Sequence, residues 1–295
     1  MNLKKNVKIW KVLYKEKKVN NWIELDGEKG YWYADPILFN YNKEKYLFTE
    51  AFNMKKQIGY LAVSKYENNK FSVPKIIMKR KFHLSYPCVF EYKKDVYMIP
   101  ETGQNGTLEL WKSDKNIYTW RKLCVLKKNI RLADSTVFVE NEKIYIFSYE
   151  ECSKYITHVF ELDIESFRLN EVECLVSEFN NMRPAGKFFE KDGKLYRPVQ
   201  KNINKYGESI LLNQINSINP FVEQNVDELT ATKLTNGKYN ENTHTLSVDD
   251  EVEVIDIIDN EELSFIYRNV YIRKIRNLLF KIKYKLMSKV SKNGK

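Results

Sequence analysis

Acidic side chains stand at the mouths of short apolar runs in several parts of this sequence. Asp35 precedes the run "PILF" and Asp134 precedes "STVF", whereas Glu101 closes the run "VYMIP" at the same rim of the predicted hairpins. Carboxyl groups brought together in this way can donate a proton to an oxygen atom, accept one, or stabilise positive charge that develops on a substrate. The candidate catalytic residues are therefore Asp35, Glu101 and Asp134.

The spacing of these residues follows a repeat in the sequence. The repeated units begin at residues 35, 86, 134, 185 and, more weakly, 244, so that successive starts lie 51, 48, 51 and 59 residues apart. Each unit has an apolar run, a polar turn such as "NKEK" or "EKDG", and a second run of aromatic and β-branched residues, which is the pattern of a β-hairpin.

Further short apolar runs follow in most units, giving the roughly four strands that a propeller blade requires. A repeat of this length is typical of propellers and solenoids. The sequence therefore predicts an all-β fold, a five-bladed β-propeller over residues 1–260, in which the N-terminal run "VKIWKVLYK" completes the last blade.

Equivalent strand ends of a propeller converge on its central channel, so polar residues at those ends are candidates for substrate binding. They are Trp32, Glu50, His83, Tyr86, Arg183, Arg197, Gln200 and His244. Arginine and histidine can hold an anionic group of a substrate, and a tryptophan can stack on a sugar ring. The alternative is structural: an Asp before Pro suits a turn, and the arginines can pair with carboxylates of a neighbouring blade.

Several classes of site are disfavoured by the sequence. The four cysteines stand singly and the three histidines are scattered, so we predict no metal site, no cofactor and a reducing compartment. Phosphate-binding glycine loops and the motifs HExxH and GxSxG are absent. No secretion signal or long apolar run is found, so a cytoplasmic location is expected.

The C-terminal segment carries the whole of the net charge of +10. Residues 263–295 contain ten Lys and Arg and no acid, while apolar residues at 272, 275, 279, 282 and 286 follow helical spacing. We predict that residues 261–295 form a basic amphipathic helical tail that attaches the protein peripherally to the anionic inner face of the plasma membrane. Packing of this helix on the propeller, or dimerisation through it, are the alternatives, and nucleic acid is not an expected partner.

An ordered set of short motifs resembles a known family. The motifs "YADPILF", "HLSYPCVF", "MIPETG", "DSTVF", "RPAGKFFEKDGKLYRPVQ", "YGESI" and "HTL", between Trp32 and Leu246, resemble the N-terminal propeller of plant glucosamine inositolphosphorylceramide transferases. They also resemble its bacterial relatives in capsule and other surface-polysaccharide loci. More remotely, the chain is similar to five-bladed glycoside hydrolases of families 43, 32 and 68.

These resemblances imply roles for three residues. Asp35 matches the first-blade base or nucleophile of the hydrolases, and Asp134 matches the third-blade aspartate that tunes acidity and stabilises the transition state. The hydrolases take their acid from a glutamate in a later blade, whereas the fourth blade here opens with Arg183 in "RPAG". Glu101 would then have to serve as the acid.

The resemblance favours a carbohydrate-active protein of cell-surface polysaccharide or glycolipid biosynthesis. The leading hypothesis is glycosyl transfer from or to a sugar, a nucleotide sugar or a lipid-linked glycan. In the plant family, transfer is attributed to a separate C-terminal domain, which we do not find in this sequence. The alternatives are therefore a non-catalytic propeller that positions glycan for a partner glycosyltransferase, and a glycoside hydrolase.

Overall fold

The computed structural model describes residues 4–19, 21–152, 154–264 and residue 278. Within these ranges the chain forms 22 strands in five antiparallel sheets, arranged as the blades of a propeller. The predicted five-bladed β-propeller is therefore confirmed.

The strands are numbered in chain order and grouped by blade. The chain begins with β1 (Lys4–Glu16) and β2 (Ile23–Glu24). Blade 1 contains β3 (Tyr31–Tyr41), β4 (Glu44–Asn53), β5 (Ile58–Glu67), β6 (Lys70–Phe71) and β7 (Lys75–Met78). Blade 2 contains β8 (Ser85–Tyr92), β9 (Asp95–Glu101), β10 (Thr107–Ser113) and β11 (Trp120–Lys128).

The second half of the chain continues in the same way. Blade 3 contains β12 (Leu132–Glu140), β13 (Lys143–Glu151), β14 (Tyr155–Asp163) and β15 (Arg168–Ser177). Blade 4 contains β16 (Arg183–Pro184), β17 (Phe189–Lys191), β18 (Lys194–Lys201), β19 (Ser209–Ile218) and β20 (Phe221–Leu229). A short helix, α1 (Ala231–Leu234), precedes β21 (Leu246–Val248) and β22 (Val252–Ser264).

The inner hairpins of four blades share one kind of turn. Each turn has two residues with positive φ, the conformation that matches the right-handed twist of the paired strands. These turns are Asn42–Lys43, Lys93–Lys94, Asn141–Glu142 and Asp192–Gly193. The repeated polar turns of the sequence therefore fix the strand register that brings equivalent positions to one end of the channel.

The fifth blade joins the two ends of the propeller. Its strand order is β2–β1–β22–β21, and β1 pairs with β22 from Lys4↔Ser264 to Glu16↔Val252. The N-terminal run thus completes the last blade, as the sequence predicts. Because β1 offers partners along all of this length, β22 extends past the predicted boundary at residue 261. The predicted helix beyond residue 264 lies outside the described residues, apart from residue 278.

The innermost strands of neighbouring blades contact one another around the channel: β3 with β8, β8 with β12, β12 with β16, and β21 with β3. Behind them, the largest apolar cluster fills the space between blades 1, 2 and 3. Phe48, Tyr86, Ile99 and Phe160 are fully buried in this cluster. Burial of these side chains stabilises the blade packing and so holds the inner strands in place.

Candidate active site

A β-bulge interrupts the innermost strand of each of the first three blades. The register shifts between Ala34 and Ile37, between Ser85 and Cys88, and between Ala133 and Thr136. The residues at the bulges are Asp35, Tyr86 and Asp134, with φ of 51°, 43° and 47°. Bulges re-aim side chains, and this left-handed conformation is uncommon outside glycine. The repeated bulge therefore reorients one side chain in the innermost strand of each of these three blades.

Hydrogen bonds connect the bulges of neighbouring blades across the channel. The amide of Tyr86 donates to Asp35 Oδ2 (3.1 Å), and the Tyr86 hydroxyl lies 2.6 Å from Thr136 Oγ1 and accepts from the amide of Gly186 (2.6 Å). Gly186 has φ of 132°, and a Cβ there would lie 1.9 Å from the carbonyl oxygen of Leu246. The close approach of blades 4 and 5 thus requires glycine at this position.

Asp134 is held as a carboxylate by blade 4. Its Oδ2 accepts hydrogen bonds from Arg183 Nε (2.5 Å) and Gln200 Nε2 (2.6 Å), and only 1% of the residue is exposed. Burial by itself would raise the pKa of Asp134, but the charge of Arg183 and its hydrogen bond hold that pKa below its ordinary value. Asp134 therefore carries a fixed negative charge.

The pKa values of Glu101 and Glu50 are shifted in the opposite direction. Burial, together with the nearby charge of Asp134, raises the pKa of Glu101 well above its ordinary value, although Arg183 Nη2 lies 3.4 Å from Glu101 Oε2. Burial and the charge of Asp35 do the same for the pKa of Glu50. Both glutamates therefore keep their proton to a higher pH than an ordinary glutamate does, which favours them as proton donors.

His83 supports Glu50 from blade 2. Its Nδ1 accepts a hydrogen bond from the amide of Gly59 (3.0 Å), so a neutral ring carries its proton on Nε2. That Nε2 lies 3.2 Å from Glu50 Oε1. A Cβ on Gly59 would lie 2.5 Å from the same oxygen, so the glycine leaves room for the pair.

Asp35 lies against a buried imidazole. His244 Nε2 is 3.4 Å from Asp35 Oδ1, and His244 Nδ1 is 2.8 Å from Asp256 Oδ2, at ion-pair distance although not aligned as a hydrogen bond. Burial raises the pKa of Asp35 to about 7, against the opposing charge of His244. The pKa of His244 is raised because Asp256 and Asp35 outweigh the effect of burial. Asp35 can therefore exchange a proton near neutral pH.

The same three residues offer ligand atoms within 4.8 Å of one another. However, Asp256 already accepts hydrogen bonds from the amides of Asp35 (3.0 Å), His244 (3.0 Å) and Thr245 (2.9 Å). We therefore assign Asp256 to support of the Asp35 loop rather than to metal binding. Asp256 was not predicted from the sequence; the signal available was a single acid within the apolar run "VIDII".

A cavity of about 420 Å³ opens over these groups. Its wall contains Asp35, Glu50, Glu101, His83, Arg131, Arg183 and His244, together with the aromatic residues Trp10, Trp32, Phe52 and Tyr206. Trp10 stacks on His244 with ring centroids 4.0 Å apart, and Trp32 stacks on Phe52 at 4.4 Å. The volume suits a small ligand, and flat aromatic faces beside carboxyl groups suit a sugar.

A second cavity of about 610 Å³ lies beside the first, between β1, β2 and residues 27–33. Trp10 and Trp32 line both cavities. Trp10, like Tyr206 and Arg131, was missed in the sequence analysis because it lies outside the repeated hairpins. The two cavities therefore meet at a pair of tryptophans.

The structure brings seven of the predicted site residues to the first cavity and leaves four outside its wall. The seven are Trp32, Asp35, Glu50, His83, Glu101, Arg183 and His244. Asp134 and Gln200 lie behind Arg183, and Tyr86 is fully buried between blades. These three support the wall instead of forming it.

Arg197 does not lie on the cavity wall, contrary to its prediction as a substrate-binding residue. It is fully buried, pairs with Glu223 through Nε (2.8 Å) and Nη2 (2.5 Å), and packs between Phe147 and Phe221. Alternate residues of a strand face opposite sides, and Arg197 is three positions from Gln200, which faces Asp134. Arg197 therefore faces away from the cavity, and its role is the structural alternative weighed above.

The fold and cavity define a five-bladed propeller with a buried carboxyl cluster. The chain belongs to the family described as glucosamine inositolphosphorylceramide transferase 1, N-terminal, whose family model matches residues 23–260. The resemblance inferred from the motifs is thus confirmed.

Individual relatives agree with this family. The chain is 28% identical over 196 residues to glucosamine inositolphosphorylceramide transferase 1 of Arabidopsis thaliana, covering 62% of this chain and 25% of the relative. For the protein of Oryza sativa subsp. indica the identity is 26% over 199 residues, covering 63% and 26%. The chain therefore spans about a quarter of the length of these curated relatives.

Solved structures show the same fold at lower identity. A thermostable family-43 glycoside hydrolase has a TM-score of 0.56 and 14% identity, covering 77% of this chain and 89% of the hydrolase. A family 117 glycoside hydrolase from Zobellia galactanivorans has a TM-score of 0.53 and 12% identity, covering 84% and 90%.

Proposed function

We propose that the cavity is the active site of a glycosyl-transfer enzyme of cell-surface polysaccharide or glycolipid biosynthesis. The observation that carries this proposal is the separation of charge states among neighbouring carboxyl groups. Asp134 is held charged, the pKa of Asp35 lies at about 7, and the pKa values of Glu50 and Glu101 are raised. Groups whose environments push their pKa values apart are the usual equipment for paired acid and base steps.

The roles follow from these environments. Glu101 lies on the cavity wall with a raised pKa, and it donates a proton to the oxygen of the leaving group. Asp35 accepts a proton from the attacking hydroxyl, and its backbone is fixed by Asp256. The fixed charge of Asp134, behind the cavity wall, holds Arg183 beside Glu101.

The two adjoining cavities supply places for two partners of a transfer reaction. The carboxyl-lined cavity accepts the sugar that reacts, and the cavity along β1 and β2 accepts the neighbouring sugar or the acceptor. Trp10 and Trp32 at the junction provide stacking faces. Sugars, nucleotide sugars and lipid-linked glycans are the substrate classes that this arrangement suits.

A second candidate is glycan binding without catalysis, with the propeller positioning substrate for a partner glycosyltransferase. It is favoured because the matching family model describes the N-terminal part of these transferases. Hydrolysis is the third candidate. It is favoured by the similarity of this chain's fold to the folds of glycoside hydrolases.

One set of variants separates these candidates. Asp35→Asn, Asp134→Asn and Glu101→Gln are compared with Asp250→Asn, an exposed control, in assays with nucleotide sugars and lipid-linked glycans. A transferase should lose turnover by roughly 100-fold in Asp35→Asn and Glu101→Gln and keep ligand binding, because an acid or base contributes about that factor. Asp134→Asn should also lower turnover, because it removes the charge that holds Arg183 beside Glu101. Release of free sugar without acceptor would identify a hydrolase. If the native chain binds ligand but shows no turnover, the non-catalytic glycan-binding role is supported.

The membrane attachment of residues 263–295 is a separate proposal. It is supported by the ten cations and no acids in that segment. No helix within the described ranges is long and apolar enough to cross a bilayer. Each Lys or Arg near an anionic surface contributes about 1 kcal/mol, so attachment at the cytoplasmic face of the plasma membrane needs no spanning segment.

Liposome flotation tests this attachment. The full chain is compared with a 1–264 truncation, which keeps the whole of β22, on anionic and neutral vesicles at low and high salt. We expect only the full chain to float, with a preference for anionic lipid that salt weakens. Equal flotation of both proteins would exclude the tail as the anchor.

A further inference from the structure

A cluster of metal-ligand side chains lies on blade 3, outside the cavity. Its members come from three adjacent strands: Glu150 from β13, His158 from β14, and Glu171 and Cys174 from β15. His158 and Cys174 are direct cross-strand partners. A bulge between Val159 and Phe160 shifts the register so that Glu171 also reaches His158.

The imidazole of His158 is fixed between two carboxylates. Nε2 lies 3.0 Å from Glu150 Oε2, and Nδ1 lies 2.7 Å from Glu171 Oε1. The ring also stacks on Phe160, with an interplanar angle of 10° and 5.5 Å between ring centroids. Only 12% of the His158 side chain is exposed, whereas Cys174 is exposed at the surface.

We propose that His158, Glu171 and Cys174 form a zinc site, with Glu150 as the group that orients the histidine. One ligand atom from each of the three residues lies within 4.8 Å of the others. Zinc would bind Nδ1 of His158, a carboxylate oxygen of Glu171 and the sulfur of Cys174, and water would take the fourth tetrahedral position. The ring would keep its proton on Nε2, and this N–H would donate a hydrogen bond to Glu150 Oε2.

The donor set selects the metal. Imidazole and thiolate are ligands for zinc, whereas Mg²⁺ and Ca²⁺ prefer oxygen donors alone. Zinc-binding histidines commonly donate their second N–H to a carboxylate, and the contact of His158 with Glu150 has this arrangement without a metal. Glu171 and Cys174 are close in sequence, but strand pairing supplies His158, so the sequence shows no CxxC or HxxxH motif.

The position of the site gives it a role. Zinc would connect β14 to β15 on the exposed side of blade 3, where two apolar residues of β15, Val172 and Val176, face solvent. Since zinc would bind the folded chain and not the unfolded one, it would stabilise this blade by mass action. The site is distinct from the cavity residues, so its loss should leave cavity-ligand binding unchanged.

The test is metal titration of the full chain. With Co²⁺ as the probe, a thiolate-to-cobalt charge-transfer band should appear at one metal per chain, and added Zn²⁺ should displace it. Cys174→Ser should abolish the band. Glu150→Gln should weaken binding by about 10–100-fold, the range found for groups that orient a metal ligand.

Two controls keep the test decisive. Cys124→Ser, at a partly buried cysteine on blade 2, should leave the band and the stoichiometry unchanged. Cys152→Ser should do the same, because Cys152 is not one of the three ligands. A band that survives Cys174→Ser, a band lost in either control, or no thiolate band in the native chain would overturn the zinc assignment. Circular dichroism confirms that each variant keeps its β-structure.

Discussion

Asp35 and Asp134 occupy the same position in the first and third repeats, yet they carry different charge states. Both lie on bulges with similar φ, 51° and 47°, and both are buried, with exposures of 4% and 1%. Blade 4 presents Arg183 to Asp134, whereas blade 5 presents His244 to Asp35. The pKa of Asp134 is held below its ordinary value, and burial raises that of Asp35 to about 7.

The comparison separates two contributions to the site. The repeat determines where a carboxyl group lies, because the bulge recurs at the same place in each blade. The neighbouring blade determines what that carboxyl group can do, because its cation or imidazole sets the pKa. A propeller can thus convert equivalent side chains into a fixed charge and a proton acceptor without changing its backbone.

Removing the cation should reveal the largest difference between the two aspartates. Arg183→Met leaves Asp134 charged, buried and without its ion-pair partner. Loss of one partner of a buried pair typically destabilises a protein by about 3–5 kcal/mol. Urea denaturation should show a loss of this size, and Arg183→Met combined with Asp134→Asn should recover part of it. A double variant no more stable than the single one would contradict the pairing.

Arg197→Met is the matched control for this prediction. It also removes a buried arginine from its carboxylate, Glu223, but it does so away from the cavity. We expect a comparable loss of stability with unchanged ligand binding, whereas Arg183→Met should reduce both. Weakened ligand binding in folded Arg197→Met would challenge its purely structural role.

Measurements of stability at a series of pH values should reveal the raised pKa of Asp35. The folded chain keeps a proton on Asp35 up to pH about 7, whereas the unfolded chain releases it near the ordinary value of 3.8. The folded state therefore binds more protons in this interval, and this group lowers the free energy of unfolding as the pH rises through it. Each unit of pKa difference corresponds to roughly 1.4 kcal/mol.

Asp35→Asn removes this contribution. Its stability relative to the native chain should therefore increase between pH 4.5 and pH 8, by roughly 2–4 kcal/mol, measured by urea denaturation at each pH. Asp134→Asn should show a constant difference from the native chain over this range, because the stability linked to a lowered pKa is fully present above the unfolded pKa of 3.8 and is lost only on acidification below it. Parallel curves for native and Asp35→Asn proteins would contradict the raised pKa.

The sequence predicted much of the fold because the fold is repetitive. Polar turns and apolar runs recur every fifty or so residues, and each unit reports the same hairpin. The site was predicted only in part, because contacts between blades have no local signal. The pairing of Arg183 with Asp134 and the support of Asp35 by Asp256 both join distant segments. Successive side chains of a strand face opposite sides of the sheet, so a difference of one position decides whether Arg197 faces the cavity. The repeat in the sequence does not determine that position.

The smallest predicted effect concerns Gln200, which has a similar function to Arg183 but no charge. Its Nε2 donates to Asp134 Oδ2 (2.6 Å) and to the carbonyl oxygen of Pro184 (2.9 Å). Gln200→Leu keeps the approximate shape and removes these bonds, while Arg183 still binds the same carboxylate oxygen. A lost buried hydrogen bond costs about 1–2 kcal/mol, well below the cost of losing the cation.

Gln200→Leu and Arg183→Met should be strongly coupled, because both residues act on the same oxygen atom of Asp134. We therefore expect the double variant to differ from the sum of the two single losses in urea denaturation. Gln224→Leu, an exposed glutamine on β20, is the matched control and should change stability by less than about 0.5 kcal/mol. Strict additivity would mean that Gln200 stabilises blade 4 through Pro184 and not through the charge of Asp134.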